Sequence, residues 1–303
     1  MKFVISGASG TLARLIAEEL VAKIPASDLI LSTRNPAALE DWAGRGAKVV
    51  RGDHGDLDSL KAGYEGGRRL MAISGLNIGQ RIQEHSNVIE AAKAVGIEHI
   101  TYTSVAGVHP GNPTPSAKEH LATERMLWAS GLSFTALRDQ LYSELLYDQL
   151  KVLALPTGKW LHIGEKGHIA PVSRSDIAAS AAATMLAPEK HDRVVYEMTG
   201  PERLTYREIA QIGARVFGKP IEYIPIPPEQ MQEMLAKIGA KREPNPTSDF
   251  PPVRFGSDEL VNQFIANDEG YLDILSYHVE FLTGRKPRSL ESVLRELIAS
   301  PGA

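Results

Sequence analysis

The segment Gly-Ala-Ser-Gly-Thr-Leu-Ala at 7–13 carries the clearest chemical signal in the chain. It directly follows the apolar run 3–5 and opens a helical pattern, which is where the phosphate-binding turn stands in dinucleotide-binding folds. The two glycines permit a tight turn and a close approach of backbone to diphosphate, and the helix start presents free N–H groups. We therefore predict dinucleotide contacts from Gly7, Ala8, Ser9, Gly10, Thr11 and Leu12. The alternative is a structural glycine turn, because a chain with 26 glycines produces such spacings by chance.

The end of the second apolar run indicates which dinucleotide is bound. Its sequence, Leu-Ser-Thr-Arg-Asn-Pro at 31–36, lacks the Asp or Glu that would accept a hydrogen bond from the ribose 2′-hydroxyl of NAD. Arg34 instead offers a planar donor fork for a 2′-phosphate. Such a charge-assisted contact contributes roughly 1.5–3 kcal/mol. The sequence therefore favours NADP(H), against the alternative that Arg34 is a solvated surface arginine.

Two residues after the third apolar run lie where an adenine ring is expected. Asp53 is a candidate acceptor for the adenine amino group, and His54 is a candidate to pack near the ring. The alternative for Asp53 is a loop-capping carboxylate.

These candidates depend on a scaffold of alternating strands and helices. Short apolar runs at 3–5, 29–31, 47–50, 70–73, 99–103 and 134–137 are separated by helical patterns, one of which carries Ile82, Val88, Ile89, Ala92 and Val95. Strict alternation implies parallel pairing with right-handed crossovers. We predict an α/β fold with a doubly wound, Rossmann-like parallel sheet, and an α+β protein is the alternative.

The residue pattern of the chain changes after residue 150. Prolines break up the stretch 225–252, with a helical pattern from Glu229 to Ile238 inside it. We predict an NADP-binding domain over 1–150 and a smaller substrate-side portion over 151–303, with a mobile loop near 240–257. The run Arg193 to Met198 is predicted to be a strand that returns to the main sheet, so the two portions interleave.

Composition narrows the function classes. The 303 residues carry a net charge of −4 and contain no cysteine, which excludes disulfides, thiolate metal sites and a cysteine nucleophile. No metal motif is seen, basic residues do not cluster with aromatics, and no run of about 18 apolar residues occurs. We expect no signal peptide, no nucleic-acid or membrane partner, and a cytoplasmic location.

Several segments together resemble a known family. The spacing Gly-x-x-Gly-x-x-Ala at 7–13 resembles that of extended and atypical short-chain dehydrogenase/reductases. The segments 33–36 (TRNP), 52–60 (GDHGDLDSL), 99–107 (HITYTSVAG), 119–127 (EHLATERML), 135–144 (TALRDQLYSE) and 169–179 (IAPVSRSDIAA) look like the NmrA-like members. Within that group the chain is most similar to bacterial type 2 quinone oxidoreductases and triphenylmethane reductases.

The resemblance implies how a bound NADPH is held. It places the cofactor on the loop at 7–12, with Arg34 on the 2′-phosphate. It puts the nicotinamide end beside Ser74, Gly75, Leu76, Thr103, Ser104, Asp139, Gln140 and Leu141. Relatives often have Asn where Asp139 stands, which puts a side-chain amide contact there in doubt.

The sequence lacks the usual acid of short-chain dehydrogenases. No tyrosine lies between Thr103 and Leu141, and Tyr147 with Lys151 shows the Tyr-x-x-x-Lys spacing only after the sixth strand, which we interpret as chance. Counting back from Gly131, His120 takes the position of the catalytic lysine of isoflavone reductases. His120 is thus a candidate acid, or a residue that only orients the nicotinamide or satisfies a core hydrogen bond. Tyr142 is a second candidate proton donor, with a packed aromatic as the alternative.

Hydride transfer to a quinone needs little acid catalysis from the protein. We therefore predict reduction of a quinone-like or other conjugated aromatic acceptor. A non-catalytic NADP(H) sensor and a reductase of lignan-like or flavonoid-like molecules are the alternatives. The sequence does not reveal the oligomeric state and leaves a homodimer open.

Overall fold

The computed structural model describes residues 1–245 and 254–299, and its centre is a seven-stranded sheet. The strands run β3-β2-β1-β4-β5-β6-β9 across the sheet, and every neighbouring pair is parallel. Their bounds are β1 Phe3–Ser6, β2 Leu29–Thr33, β3 Lys48–Arg51, β4 Arg69–Ala72, β5 His99–Val105, β6 Ser133–Asp139 and β9 Val194–Met198. The predicted doubly wound parallel sheet is confirmed.

The strand order reverses between β1 and β4. The chain winds outward from β1 to β3 on one side and from β4 to β9 on the other. In open parallel sheets, ligands bind outside the carboxyl ends of the strands at such a reversal. The topology therefore directs attention to the segments that follow β1, β4, β5 and β6.

Helices cover both faces of the sheet. One face is packed by α1 (Thr11–Val21) and α7 (Arg174–Leu186), and α11 (His278–Thr283) lies against α7. The other face is packed by α3 (Leu57–Tyr64), α4 (Arg81–Ala94) and α5 (Pro115–Ser130). Successive strand residues point to opposite faces, so Ile5 packs under α1 while Val4 packs in the other core. Because both faces are covered, β1 and β2 are buried at every position and begin with uninterrupted apolar runs.

A third apolar core holds the later part of the chain. Its helices are α6 (Ser143–Gln149), which continues as a π-helical turn to Ala154, α8 (Tyr206–Phe217), α9 (Pro228–Lys237), α10 (Ser257–Asp268) and α12 (Leu290–Ala299). Two small sheets join them: β7 (Lys159–His162) pairs with β11 (Glu222–Pro225), and β8 (His168–Ile169) with β10 (Leu204–Thr205). Leu146 of α6 already belongs to this core, while β9 belongs to the main sheet. The chain therefore passes from the main sheet to this core and returns to the sheet at β9.

One feature differs from what the sequence predicts, and one prediction falls partly outside the described residues. Ile82 was placed on the inward face of its helix but is 49% exposed, and Arg81, Glu84 and His85 point inward instead. Polar partners inside the fold stabilise these buried polar side chains. The predicted loop near 240–257 falls partly on residues 246–253, which lie outside the described residues.

Candidate active site

The turn after β1 has the geometry expected of a phosphate loop. Gly7 has a φ of +75°, a conformation that favours glycine, and Gly10 is the extended N-cap of α1 with a φ of −72° and a ψ of 155°. The turn is held by Gly10 N–H donating to Gly7 O at 3.1 Å and by Ala8 N–H donating to Ser32 O at 3.0 Å. Thr33 donates a hydroxyl hydrogen bond to Ser9 Oγ at 3.0 Å, which ties the loop to the end of β2.

Every other described α-helix begins with a side-chain cap or has an acidic residue in its first turn, whereas α1 has neither. Asp56, Thr114, Ser173 and Thr205 each cap their helix by a side-chain hydrogen bond. Helix α1 starts at Gly10 with no side-chain cap from the described residues and no acidic residue in its first turn. Its first backbone N–H groups therefore remain available to an anion.

Arg34 lies just beyond the carboxyl end of β2, next to this loop. It is exposed, and among the described residues it has no hydrogen bond or ion pair. Its positive charge contributes to lowering the pKa of His54, although burial is the larger cause. A guanidinium in this position can accept an additional phosphate.

The residues after β3 are more engaged with the protein than the sequence reading assumed. Asp53 accepts a hydrogen bond from Gly55 N–H at 3.1 Å, which is the loop-capping alternative. His54 contacts Ser6 Oγ through Nε2 at 2.8 Å, and its backbone carbonyl accepts from Asn87 at 2.8 Å. His54 thus lies beneath the strand ends, and its ring is mostly buried and bonded to other protein groups.

A cavity of about 240 Å³ opens at the carboxyl ends of β4, β5 and β6. Its walls are mainly apolar side chains from α1, the loop after β4, α6, the segment before α10, α10 itself and the loop after it. They are Leu12, Ile73, Leu76, Val105, Leu141, Leu145, Phe255, Leu260 and Leu272. The predicted residues that line it are Leu12, Ser74, Gly75, Leu76, Thr103, Ser104, His120, Asp139, Gln140, Leu141 and Tyr142.

His120 is buried at the floor of this cavity. Its Nδ1 is 2.6 Å from the Tyr102 hydroxyl, and its Nε2 is 3.4 Å from Arg81 Nη1. Burial, and then the charges of Arg81 and His85, hold the pKa of His120 well below its usual value. A neutral imidazole with both nitrogens facing protein groups favours the orienting or core role over proton donation.

Arg81 is a cavity residue that the sequence analysis missed. Its Nε donates to Gly75 O at 2.8 Å, and its Nη1 lies 4.0 Å from the Glu119 carboxylate. Glu259 of α10, which accepts from Ser116, also lines the cavity. Arg81 on α4 and Glu259, 178 positions further along the chain, share no signal in the sequence that would have paired them.

Asp139 and Tyr142 form a buried pair on the opposite wall. Tyr142 donates its hydroxyl hydrogen to Asp139 Oδ2 at 2.7 Å, while Asp139 Oδ1 has no hydrogen-bond partner among the described residues. Burial raises the pKa of the Asp139 carboxyl to about 8, and the bond from Tyr142 opposes that rise. Asp139 is therefore mostly protonated at neutral pH.

The family model for NmrA-like proteins matches residues 1–248. The chain belongs to the NmrA-like family. Quinone oxidoreductase 2 of Escherichia coli is 35% identical over 235 residues, which cover 78% of this chain and 81% of that protein.

Solved structures of NmrA-like proteins resemble this one over nearly their full length. The NADPH complex of an Escherichia coli NADPH-dependent quinone oxidoreductase has a TM-score of 0.86 at 30% identity, covering 98% of this chain and 99% of that one. The NADP(H) complex of a Citrobacter triphenylmethane reductase has a TM-score of 0.83 at 27% identity, covering 97% and 99%.

Other candidate chemistry of the NmrA-like chain lies away from the cavity. Tyr147 stacks on Phe217, and Lys151 lies over the Tyr147 ring, neither of them lining the cavity. Within residues 1–245 and 254–299, no group of three or more histidine or acidic side chains could hold a metal ion. In the same ranges, no helix combines the length and apolar character needed to cross a bilayer.

Proposed function

We propose that the acceptor of this NADPH-dependent reductase is a quinone or another conjugated, aromatic molecule. The relatives named above include a quinone oxidoreductase and a triphenylmethane reductase whose structures hold NADPH or NADP(H). The single observation that carries the acceptor class is the apolar cavity of about 240 Å³ at the strand ends.

The described residues fit the cofactor. The uncapped start of α1 suits a diphosphate, because backbone N–H groups and the helix dipole both favour an anion there. The exposed, unpaired Arg34 suits the 2′-phosphate. We assign the nicotinamide end to Ser74–Leu76, Thr103, Ser104 and Asp139–Leu141, which meet around the cavity.

NADPH supplies a hydride when it is bound in this position. The protein's own contribution is to orient the acceptor and to exclude water. Leu141 and Leu145 line the cavity near α6, and Phe255 and Leu260 line it near α10. A flat ring placed between these two pairs contacts apolar surface on both of its faces. This chemistry suits a site whose floor histidine is neutral and bonded to its neighbours.

The experiment is NADPH oxidation by the purified protein with a panel of quinones, enones and cationic dyes. Turnover with at least one quinone supports the proposal. Binding of NADPH in calorimetry without any turnover would favour the sensor, and turnover restricted to lignan-like or flavonoid-like molecules would favour that other reductase class.

A cavity-filling variant tests whether this cavity holds the acceptor. Leu145→Trp fills the cavity from α6 and is expected to lower kcat/KM for the quinone at least about tenfold, since its bulk displaces the ring. NADPH affinity should stay within about threefold. Val152→Trp, on the exposed side of the following turn, is the matched control and should leave both unchanged.

A further inference from the structure

The Asp139–Tyr142 pair has a geometry that a purely structural contact does not need. Asp139 is 6% exposed, ends β6 and lines the cavity. One carboxyl oxygen, Oδ2, accepts from Tyr142 at 2.7 Å, and the other, Oδ1, is buried without a partner among the described residues. An unpartnered buried oxygen destabilises the folded protein unless a ligand satisfies it.

The surroundings of the pair keep the carboxyl neutral. Beside Asp139 in the sheet, β5 presents Val105 and β9 presents Met198. Burial is the main cause of the raised pKa of about 8 for Asp139. Because the Tyr142 hydroxyl donates to Oδ2, the acid proton of the neutral form resides on Oδ1.

Charged groups near the Asp139–Tyr142 pair either already have bonding partners or lie across the cavity. Glu144 of α6 accepts from the Arg174 backbone N–H at 3.0 Å, and the Arg174 guanidinium lies 5.1 Å from the Tyr142 ring centroid. Across the cavity, α4 presents Arg81 and α10 presents Glu259. His120 on α5 is the remaining titratable group of the floor, and its pKa is held well below the usual value by burial.

We propose that Asp139 is the proton donor of this reductase and that Tyr142 is its positioning residue. The proposal rests on the proposed function, because it requires an acceptor that gains a proton. Tyr142 directs its own hydrogen to Asp139 and so holds the carboxyl with Oδ1 free to donate. The acid of the reaction is thus at the end of β6, and not at His120 or at a Tyr-x-x-x-Lys pair.

The step balances for a quinone or an enone. The acceptor gains two electrons and one hydrogen nucleus as hydride from the reduced nicotinamide dinucleotide. It gains one proton as the Asp139 O–H bond breaks and an O–H or C–H bond forms on the acceptor. The carboxylate then regains a proton from solvent. A cationic triphenylmethane dye differs, since hydride alone converts it to a neutral product.

Asp139→Asn keeps the shape and a hydrogen-bond donor but removes the transferable proton. With an enone at neutral pH, kcat is expected to fall by about 100-fold, the lower end of the range for general acid catalysis. With a cationic dye the fall should be at least about tenfold smaller. Equal losses with both acceptors, or no loss with either, would overturn the proposal, while wild-type turnover of quinone keeps the proposed function intact.

Two further readouts do not depend on the acceptor series. Infrared spectra of the cofactor-free protein should show a protonated carboxyl band at pH 7 that is absent from Asp139→Asn. Tyr142→Phe removes the bond that lowers the Asp139 pKa, so the alkaline fall of kcat should move to higher pH. A missing band, or an unmoved alkaline fall, would count against the pair.

The matched control is Asp148→Asn. Asp148 lies on α6, the helix whose N-cap is Tyr142, and burial raises the pKa of its carboxyl too, but it does not line the cavity. Its substitution should leave the acceptor dependence and the pH profile unchanged. A loss as large as that of Asp139→Asn would assign the effect to buried carboxyls in general and overturn the proposal.

Discussion

The phosphate loop after β1 and the floor of the cavity after β4 to β6 differ in whether their polar groups are already bonded within the protein. The loop is built from contiguous residues, leaves a helix N-terminus uncapped, and has an exposed cation beside it. The floor is built from buried side chains on α4, β5 and α5, and its histidines are neutral. The loop therefore keeps its donors free for a ligand, whereas the floor satisfies most of its own polar groups.

Because of this difference, a substitution at the loop can change cofactor binding alone, whereas a substitution at the floor cannot be separated from its effect on the fold. A charge added at the loop acts on the cofactor with little effect on the fold, because no described side chain depends on that helix start. A change at the floor acts on the fold first, because most polar groups there are bonded to buried partners, as His120 is to Tyr102 and Arg81. On the cavity wall, Asp139 Oδ1 and Gln149 Oε1 have no hydrogen-bond partner among the described residues.

The largest effect is expected from Gly10→Asp. Its φ of −72° accepts an L-residue, and an aspartate at this N-cap supplies the cap that α1 lacks. The free energy of unfolding should stay unchanged or rise by about 0.3 kcal/mol. The carboxylate repels the diphosphate, so NADPH affinity should fall about 100-fold, or about 2.8 kcal/mol, by calorimetry. Gly10→Asn is the neutral control, and an equal loss in both would contradict a charge effect.

Arg34→Ala tests the second part of the cofactor-binding region. Loss of one charge-assisted contact should weaken NADPH about 10-fold to 100-fold and leave NADH unchanged. The measurement is kcat/KM for both dinucleotides. Arg68→Ala, an exposed arginine paired with Glu98 near the amino end of β4, is the control and should alter neither. Equal losses for NADPH and NADH would remove Arg34 from the 2′-phosphate.

Two buried, neutral histidines, His85 on α4 and His99 at the amino end of β5, predict acid sensitivity. Burial lowers the pKa of His85 to about 3 and that of His99 to about 4. The unfolded chain binds their protons below pH 6.5 while the folded chain does not, so stability is complete above pH 6.5 and falls as pH falls toward 4. One such histidine contributes about 2 kcal/mol of this loss at pH 5.

Urea unfolding of His85→Gln across this range should therefore show a shallower fall than the wild type. His109→Gln, at an exposed loop histidine, is the control and should keep the wild-type slope. An identical slope in His85→Gln would show that His85 is protonated in the folded protein.

The smallest effect on turnover is expected from His120→Ala. Tyr102 and Arg81 lose a buried partner, so the free energy of unfolding should fall by about 1–3 kcal/mol. Quinone kcat should change less than about threefold, because the neutral imidazole donates no proton to the acceptor. A fall of about 100-fold in kcat with unchanged NADPH affinity would restore His120 as the acid.

The six leading strands were predictable because each is a short apolar run next to a helical pattern. Strand β9 was recognisable for the same reason, although its place beside β6 depends on long-range pairing. The inward face of α4 was misread at Ile82, since Arg81 and His85 find polar partners on α5 and in the loop after β4. Hydrophobic periodicity carries no information about such partners.

The sequence by itself predicted the phosphate loop, the likeness to a family and the choice of dinucleotide. It could do so because backbone N–H groups within seven consecutive residues and one neighbouring cation define that site. Only the tertiary structure brought Arg81, His120, Asp139 and Glu259 around one cavity. These residues lie on separate elements, so their burial, their pairing and therefore their protonation exist only after the sheet and the C-terminal helices have packed.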